Sequence, residues 1–333
     1  MVNPQGENVN SKDNTEKLIS GLKSGDEIKG KAFVVKFRRP PSKYAGGYKF
    51  ELRLGDASRE IMMKFWGPND EEKVQKLFDS IKPDDVVILK SGKVGEWNGK
   101  LEISVNDINA LRVCAPGELD PKIFVRASGR GIDAMLSELR GLVSDIKDPE
   151  IRKVLDAFFI DSDFIEKYCK APAAMYKHHG WIGGLMEHSL NVARVCGRAC
   201  ETYPELNRDL AISGALLHDI GKIREFTVTN NIRTSDEGML VGHIMIGAEM
   251  MHEKLKDVDV SEVLKLKFLH IISSHHGKQE YGSPKKPAFP EALVIYYADE
   301  LDAKCEMMLE LVRNTHTEDT HRYTEEFGNV YLK

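Results

Sequence analysis

Hydrophobic and polar positions change rhythm once along the chain. Between Asp26 and Cys114 the apolar residues come in short runs rich in β-branched and aromatic side chains: IKGKAFVVKF, GGYKFELRLGD, EIMMKFWG, DVVILKSGKVGEWNGK and LEISVNDINALRV. Gly, Pro or Asp turns separate them, which predicts strands, and Asn98-Gly99 predicts a tight hairpin. One helical stretch, NDEEKVQKLFDSI, falls between the third and fourth runs. After Pro116 the period becomes helical and stays so. GIDAMLSELRGLVSDI and PEIRKVLDAFFI are followed by LMEHSLNVARVCGRACETY, RDLAISGALLHDIG, GMLVGHIMIGAEMMHEKL, SEVLKLKFLHIISSHHG and EALVIYYADELDAKCEMMLELV. The first residues are polar, with little to bury, and are expected to be disordered.

Five strands with a helix between the third and fourth is the order of an OB-fold barrel. The expected architecture is therefore multidomain: a tail over 1–25, an all-β OB-fold barrel over 26–115, a helical connector over 116–160 and an all-α domain over 161–333. No apolar run in the 333 residues approaches the roughly 18–20 a membrane span needs. The start of the chain has no apolar signal region, and five cysteines, an odd number, argue for a reducing compartment. A cytoplasmic protein is expected, with Cys196 and Cys200 packing in the core.

The net charge of −5 excludes a generically basic nucleic-acid binder. Its distribution changes that picture, because Ile28 to Phe50 holds seven Lys or Arg residues and no acid. If Val35 and Phe37 face the barrel core, alternation turns Lys36 and Arg38 outward, beside Arg39. Tyr44 and Tyr48, on the Gly-rich KYAGGYK segment, are the candidates for stacking on bases. A solvated strand face and a plain turn are the bland alternatives.

In the helical half, ionisable groups stand where core helices carry Leu. His188 shares a face with Val192, Val195 and Ala199; His218 follows Ala211 and Gly214. His243 aligns with Gly247 and Met250, His275 with Leu264, Phe268 and Ile271, and Asp299 with Ala292, Ile295 and Tyr296. One such residue means little. Five helices each directing an acid or imidazole inward point to a divalent cation, because an unpaired buried carboxylate costs several kcal/mol or more. No buried Lys or Arg is evident to pair with Asp219 and Asp299. Mixed His and Asp ligands suit Mn²⁺, Fe²⁺, Zn²⁺, Co²⁺ or Ni²⁺ alike. Adjacent on a helix end, His218 and Asp219 could both reach one metal, with Gly221 ending the helix and turning Lys222 back toward it.

The order His188, His218-Asp219, Asp299 resembles the signature of the HD superfamily of metal-dependent phosphohydrolases, and His243 with His275-His276 resembles its two-metal subset. HHGWIGGLMEHSL, GALLHDIGK, GHIMIG and SHHGKQEYGSP ahead of EALVIYYADELDAK, behind an OB-fold, are similar to the YhaM-type 3′→5′ exoribonucleases. That resemblance implies an HD domain over the helical half and two divalent ions, Mn²⁺ foremost. His188, His218, Asp219 and Asp299 would hold one; Asp219, His243, His275 and His276 the other. It further implies metal-dependent hydrolysis of single-stranded RNA, and of DNA as a further substrate, to nucleoside monophosphates, with Asp219 central. Lys222 would meet negative charge on the phosphate, and His178 and His179 would touch substrate. Two other readings stay open: an HD-type cyclic-dinucleotide or nucleotide phosphodiesterase, although GKQEYGSP lacks the Gly-Tyr-Pro motif, and a non-catalytic single-strand-binding protein. A homo-oligomer is compatible with either.

Overall fold

The structure, a computed structural model, describes residues 18–115, 118–119, 123–175, 179–315 and 320–333. The expectations for residues 1–17 and for His178 lie outside those residues. The chain divides into two compact units: one runs to Arg126 and includes Thr229–Asn231, and the other takes the remainder from Ala127.

In the first unit the strands are β1 (Glu27–Ile28), β2 (Lys31–Tyr44), β3 (Gly47–Gly55), β4 (Glu60–Trp66), β5 (Val86–Leu89), β6 (Gly92–Trp97), β7 (Lys100–Val105) and β8 (Leu111–Val113), with α1 (Glu71–Asp79) between β4 and β5. They form one sheet in the order β1-β6-β7-β4-β3-β2-β5-β8, antiparallel except for β4 with β7. Phe33, Phe50, Leu52, Phe65, Val74, Phe78 and Ile103 fill the core, and Phe50 stacks on Phe65 at 4.7 Å. This is the expected OB-fold. Two details differ. The tail predicted over 1–25 gives way to described chain from residue 18 on, where Ile19 and Leu22 are buried in the same core while Leu18 is exposed. In β2 the register with β3 shifts between Val35 and Phe37. That bulge moves the side chains beyond it by one position, so Phe37 is 46% exposed rather than inward.

The second unit is helical: α2 (Ile132–Ser144), α3 (Pro149–Phe159), α4 (Ser162–Lys170), α5 (Gly184–Thr202), α6 (Arg208–Leu217), α7 (Lys222–Glu225), α8 (Asp236–Leu240), α9 (His243–Leu255), α10 (Glu262–Ser274) and α11 (Pro290–Asn314). Side-chain oxygens of Asp148, Asp161 and Asn207 cap α3, α4 and α6. Two short hairpins interrupt the expected all-α pattern, β9 (Phe226–Val228) with β10 (Ile232–Thr234) and β11 (His321–Thr324) with β12 (Gly328–Tyr331). The segment expected as a connector is not separate either. Met135 and Leu139 of α2 and Val154 and Leu155 of α3 share one core with Leu190, Ala211, Phe268 and Ile295. Cys196 belongs to that core, and Cys200 packs against it. Among the described residues no helix is long and apolar enough to cross a membrane.

Candidate metal centre

Helix ends, more than helix middles, build the site. His218 and Asp219 lie in the turn between α6 and α7; His243 opens α9, and His275 and His276 follow α10. His188 comes from within α5, and Asp299 and Asp302 stand one turn apart on α11. Gly221 has an ordinary φ of −60°, so it is not a conformational break as expected. Its role is close approach: a Cβ there would fall 1.9 Å from the His243 carbonyl oxygen and 2.7 Å from the Gly247 nitrogen. Only glycine lets the start of α7 cross α9 backbone to backbone.

Every one of the five imidazoles has Nδ1 against an acceptor. His218 Nδ1 lies 2.7 Å from the Ala215 carbonyl, His275 Nδ1 2.7 Å from Ile272 and His276 Nδ1 2.8 Å from Tyr281. His188 Nδ1 lies 2.7 Å from Asp302 Oδ2, and His243 Nδ1 3.1 Å from Glu225 Oε1. Carbonyls and carboxylates can only accept, which assigns a proton to Nδ1 and, except in His188, whose Nε2 also faces a carboxylate, leaves Nε2 as a bare lone pair. The Nε2 atoms converge. His188 and His218 face each other Nε2 to Nε2 at 3.3 Å, and His243 and His276 at 3.4 Å.

The carboxylates complete two half-sites. Asp299 Oδ1 is 3.0 Å from His188 Nε2 and 3.8 Å from His218 Nε2. Asp219 faces both groups: Oδ2 is 3.7 Å from His188 and 3.5 Å from His218, while Oδ1 is 3.4 Å from His275 and 3.7 Å from His243. Asp219 Oδ1 and His275 Nε2 are buried atoms that no hydrogen bond satisfies. Opposed neutral lone pairs and an orphaned carboxylate oxygen repel unless a cation lies among them, so the donor set fits divalent metal. Three of these side chains, His188, His218 and Asp219, and separately His243, His275 and His276, are close enough to share one ion. His179, His188 and Asp302 also cluster. Hydrogen bonds of 2.8 and 2.7 Å to Asp302 Oδ2 already account for that group.

The electrostatics follow from burial. Burial opposes charge on His188, yet Asp299 and Asp302 outweigh it and lift His188 up to about 9, so a proton there serves where a cation would. Burial pushes His218 down to about 4. Burial would raise Asp219, but the Lys222 ammonium holds it well below the usual carboxylate range.

That last contact corrects an expectation, since a buried base does pair with Asp219. Lys222 is only 8% exposed, and its Nζ lies 2.6 Å from Asp219 Oδ2, an i, i+3 pair. His179, expected at substrate, is buried with Nε2 on Asp302. In the OB unit Arg38 donates to the Phe78 carbonyl at 2.9 Å and to the Ile81 carbonyl, with its guanidinium over the Phe78 ring. It is committed to the end of α1, where the bulge directs it. Arg39 is exposed and paired with Glu51; Lys36 donates to Asn231 of the same unit. Tyr44 donates to the Gly67 carbonyl and meets Trp66 edge-on, and Tyr48 packs against the core with its hydroxyl on Glu71. Sequence reasoning missed Asp302 and Glu225. For Asp302 the signal was its i+3 spacing from Asp299 on the same helical face.

The profile of the HD domain family matches residues 185–304, and that of an OB-fold nucleic acid binding domain matches residues 27–111. The chain is 31% identical over 257 residues to the 3'-5' exoribonuclease YhaM of Shouchella clausii, covering 77% of each chain. It is 30% identical over 259 residues to the protein of the same name from Bacillus subtilis, covering 77% of this chain and 79% of that one. The Bacillus licheniformis protein is 30% identical over 263 residues, with the same coverage.

Proposed function

The chain belongs to the YhaM family of 3'-5' exoribonucleases, and we propose that it is a metal-dependent 3'-5' exoribonuclease acting on single-stranded RNA. The observation that carries the reading is the convergence of the His188 and His218 Nε2 atoms on one oxygen of Asp219 and of the His243 and His275 Nε2 atoms on the other, with His276 Nε2 beside His243. We assign His188, His218, Asp219 and Asp299 to one divalent ion, and Asp219, His243, His275 and His276 to a second. Bound there, such ions supply Lewis-acid polarisation of a phosphodiester and activation of the attacking water. The protein's part is to hold the donors before substrate arrives. Asp302 and Glu225 fix the rings of His188 and His243 through Nδ1, and the Ala215, Ile272 and Tyr281 carbonyls fix the others. Lys222 orients Asp219 and balances its charge, leaving Oδ1 toward His243 and His275.

We assign the OB unit to holding the strand. Arg39 is the exposed cation of the predicted set, and Lys36, Tyr44 and Tyr48 are the other proposed contacts. Mn²⁺ is the proposed physiological ion, single-stranded DNA a further substrate and the cytoplasm the proposed location. The test uses 3'-labelled and 5'-labelled oligoribonucleotides with Mn²⁺. Nucleoside monophosphate should leave the 3'-labelled strand at once while the 5'-labelled strand shortens stepwise, and Asp219→Ala should abolish both. Undiminished cleavage by that variant refutes the site. Hydrolysis of a cyclic dinucleotide with RNA left intact would replace the substrate class.

A further inference from the structure

The segment from Gly277 to Ala288 follows directly on His276, and the metal centre uses only one atom of it, the Tyr281 carbonyl. Its backbone is tied down at several points. His276 Nδ1 donates to that carbonyl at 2.8 Å, the Ser283 nitrogen to Lys278, the Lys285 nitrogen to Ser273, and the Ala288 nitrogen to His270 Nε2 at 3.0 Å. Gly277, at φ +70°, lies on the face of Tyr296, where a Cβ would fall 2.3 Å from the ring. On this tethered backbone Tyr281 is 47% exposed. Lys278 Nζ stands 5.0 Å from the centre of that ring and 3.6 Å from Glu280. Lys285 and Lys286 project from the same loop and are exposed, so three cations stand against one acid.

We propose that this loop is the subsite for the 3'-terminal nucleotides of the single-stranded substrate, with Tyr281 stacking on a base and Lys278, Lys285 and Lys286 meeting backbone phosphates. The proposal rests on the nuclease reading above. An exposed aromatic with an ammonium beside its face offers a nucleobase a stacking surface and the adjoining phosphate a counter-charge. Stacking on an aromatic is tolerant of sequence, as progressive digestion demands. The hydrogen bond from His276 to the Tyr281 carbonyl makes the arrangement a register device. The residue that holds the base also holds a metal-site imidazole, so a base seated on Tyr281 sets the distance from the terminal nucleotide to the ions.

The test is a binding cycle that does not depend on turnover. Short oligoribonucleotides with hydrolysis-resistant phosphorothioate linkages carry either normal or abasic residues at the two 3'-terminal positions, and fluorescence anisotropy in Mn²⁺ reads their affinity. Tyr281→Ala should weaken the base-bearing strand about fivefold or more, while Tyr281→Phe should stay within about twofold of wild type. For the abasic strand all three proteins should bind alike. Replacing Lys278, Lys285 and Lys286 by Ala should flatten the salt dependence of binding to either strand. Mn²⁺-induced thermal stabilisation, measured alongside, should be unchanged in Tyr281→Ala. Equal loss on both strands, or no loss on the base-bearing one, overturns the stacking role. Normal binding behaviour without cleavage of an unmodified strand by wild type would instead count against the nuclease reading alone.

Discussion

Replacing Asp302 by Ala tests whether the metal centre depends on a carboxylate that touches no proposed ion. Asp302 Oδ2 accepts from His188 Nδ1 at 2.7 Å and from His179 Nε2 at 2.8 Å, and Oδ1 accepts from Asn191 Nδ2 at 2.9 Å. Truncation removes the acceptor from two buried rings at once. A buried donor left unsatisfied costs about 1–3 kcal/mol, and Asn191 is near enough to solvent to recover its bond from water. Part of the loss is offset, because Asp302 itself no longer has to be desolvated. The expected destabilisation is therefore about 2–4 kcal/mol, read by urea unfolding with chelator present. The functional effect is separate. Without its Nδ1 acceptor His188 can rotate and change tautomer, which should weaken Mn²⁺ binding by about 10–100-fold in calorimetric titration. Asp302→Asn keeps the shape and one acceptor oxygen, so it should lose less stability while still weakening the metal. Wild-type metal affinity in Asp302→Ala would refute the claim that this carboxylate sets the His188 ring.

Saturating Mn²⁺ should raise the unfolding free energy of the wild-type protein, read by urea titration, by about 2.7 kcal/mol at a hundredfold excess over Kd, and Asp219→Asn should abolish the gain; no shift in wild type would sink the ion assignment. Lys222→Met should be destabilised by about 3–5 kcal/mol in chelator, because Asp219 is left buried without its cation, and Mn²⁺ should restore most of the loss. Equal destabilisation with and without metal would show that Lys222 does not share the ions' work on Asp219. Arg38→Met should cost the OB unit about 1–3 kcal/mol in thermal or urea unfolding through the freed Phe78 and Ile81 carbonyls. Affinity for single-stranded RNA should then fall only as far as stability explains; a selective loss of RNA binding would restore Arg38 to the strand-contacting set.

What could be read in advance depended on whether a residue's environment is set locally. The barrel was legible because strand runs and a single inserted helix have few arrangements that bury Phe33, Phe50 and Phe65 together. The direction Arg38 faces was not legible because a period-of-two reading carries no information about the bulge between Val35 and Phe37, and one inserted residue reverses every face beyond it. Lys222 was placed at the site but assigned to the phosphate; its i+3 spacing from Asp219 already predicted the contact with that carboxylate instead. Asp302 sits in the charged run DELDAK and resembles a surface acid until α5 is placed beside it. The histidines were more legible, and for a physical reason. A helix leaves its last carbonyls without intrahelical partners. A histidine just past the final turn can give Nδ1–H to the carbonyl three residues back, as His218 does to Ala215 and His275 to Ile272. That bond turns Nε2 away from the helix and fixes it there. An apolar helix that ends on histidine thus encodes the residue, its tautomer and its aim within four positions, and two such helix ends meeting at Asp219 bring most of the donor set together.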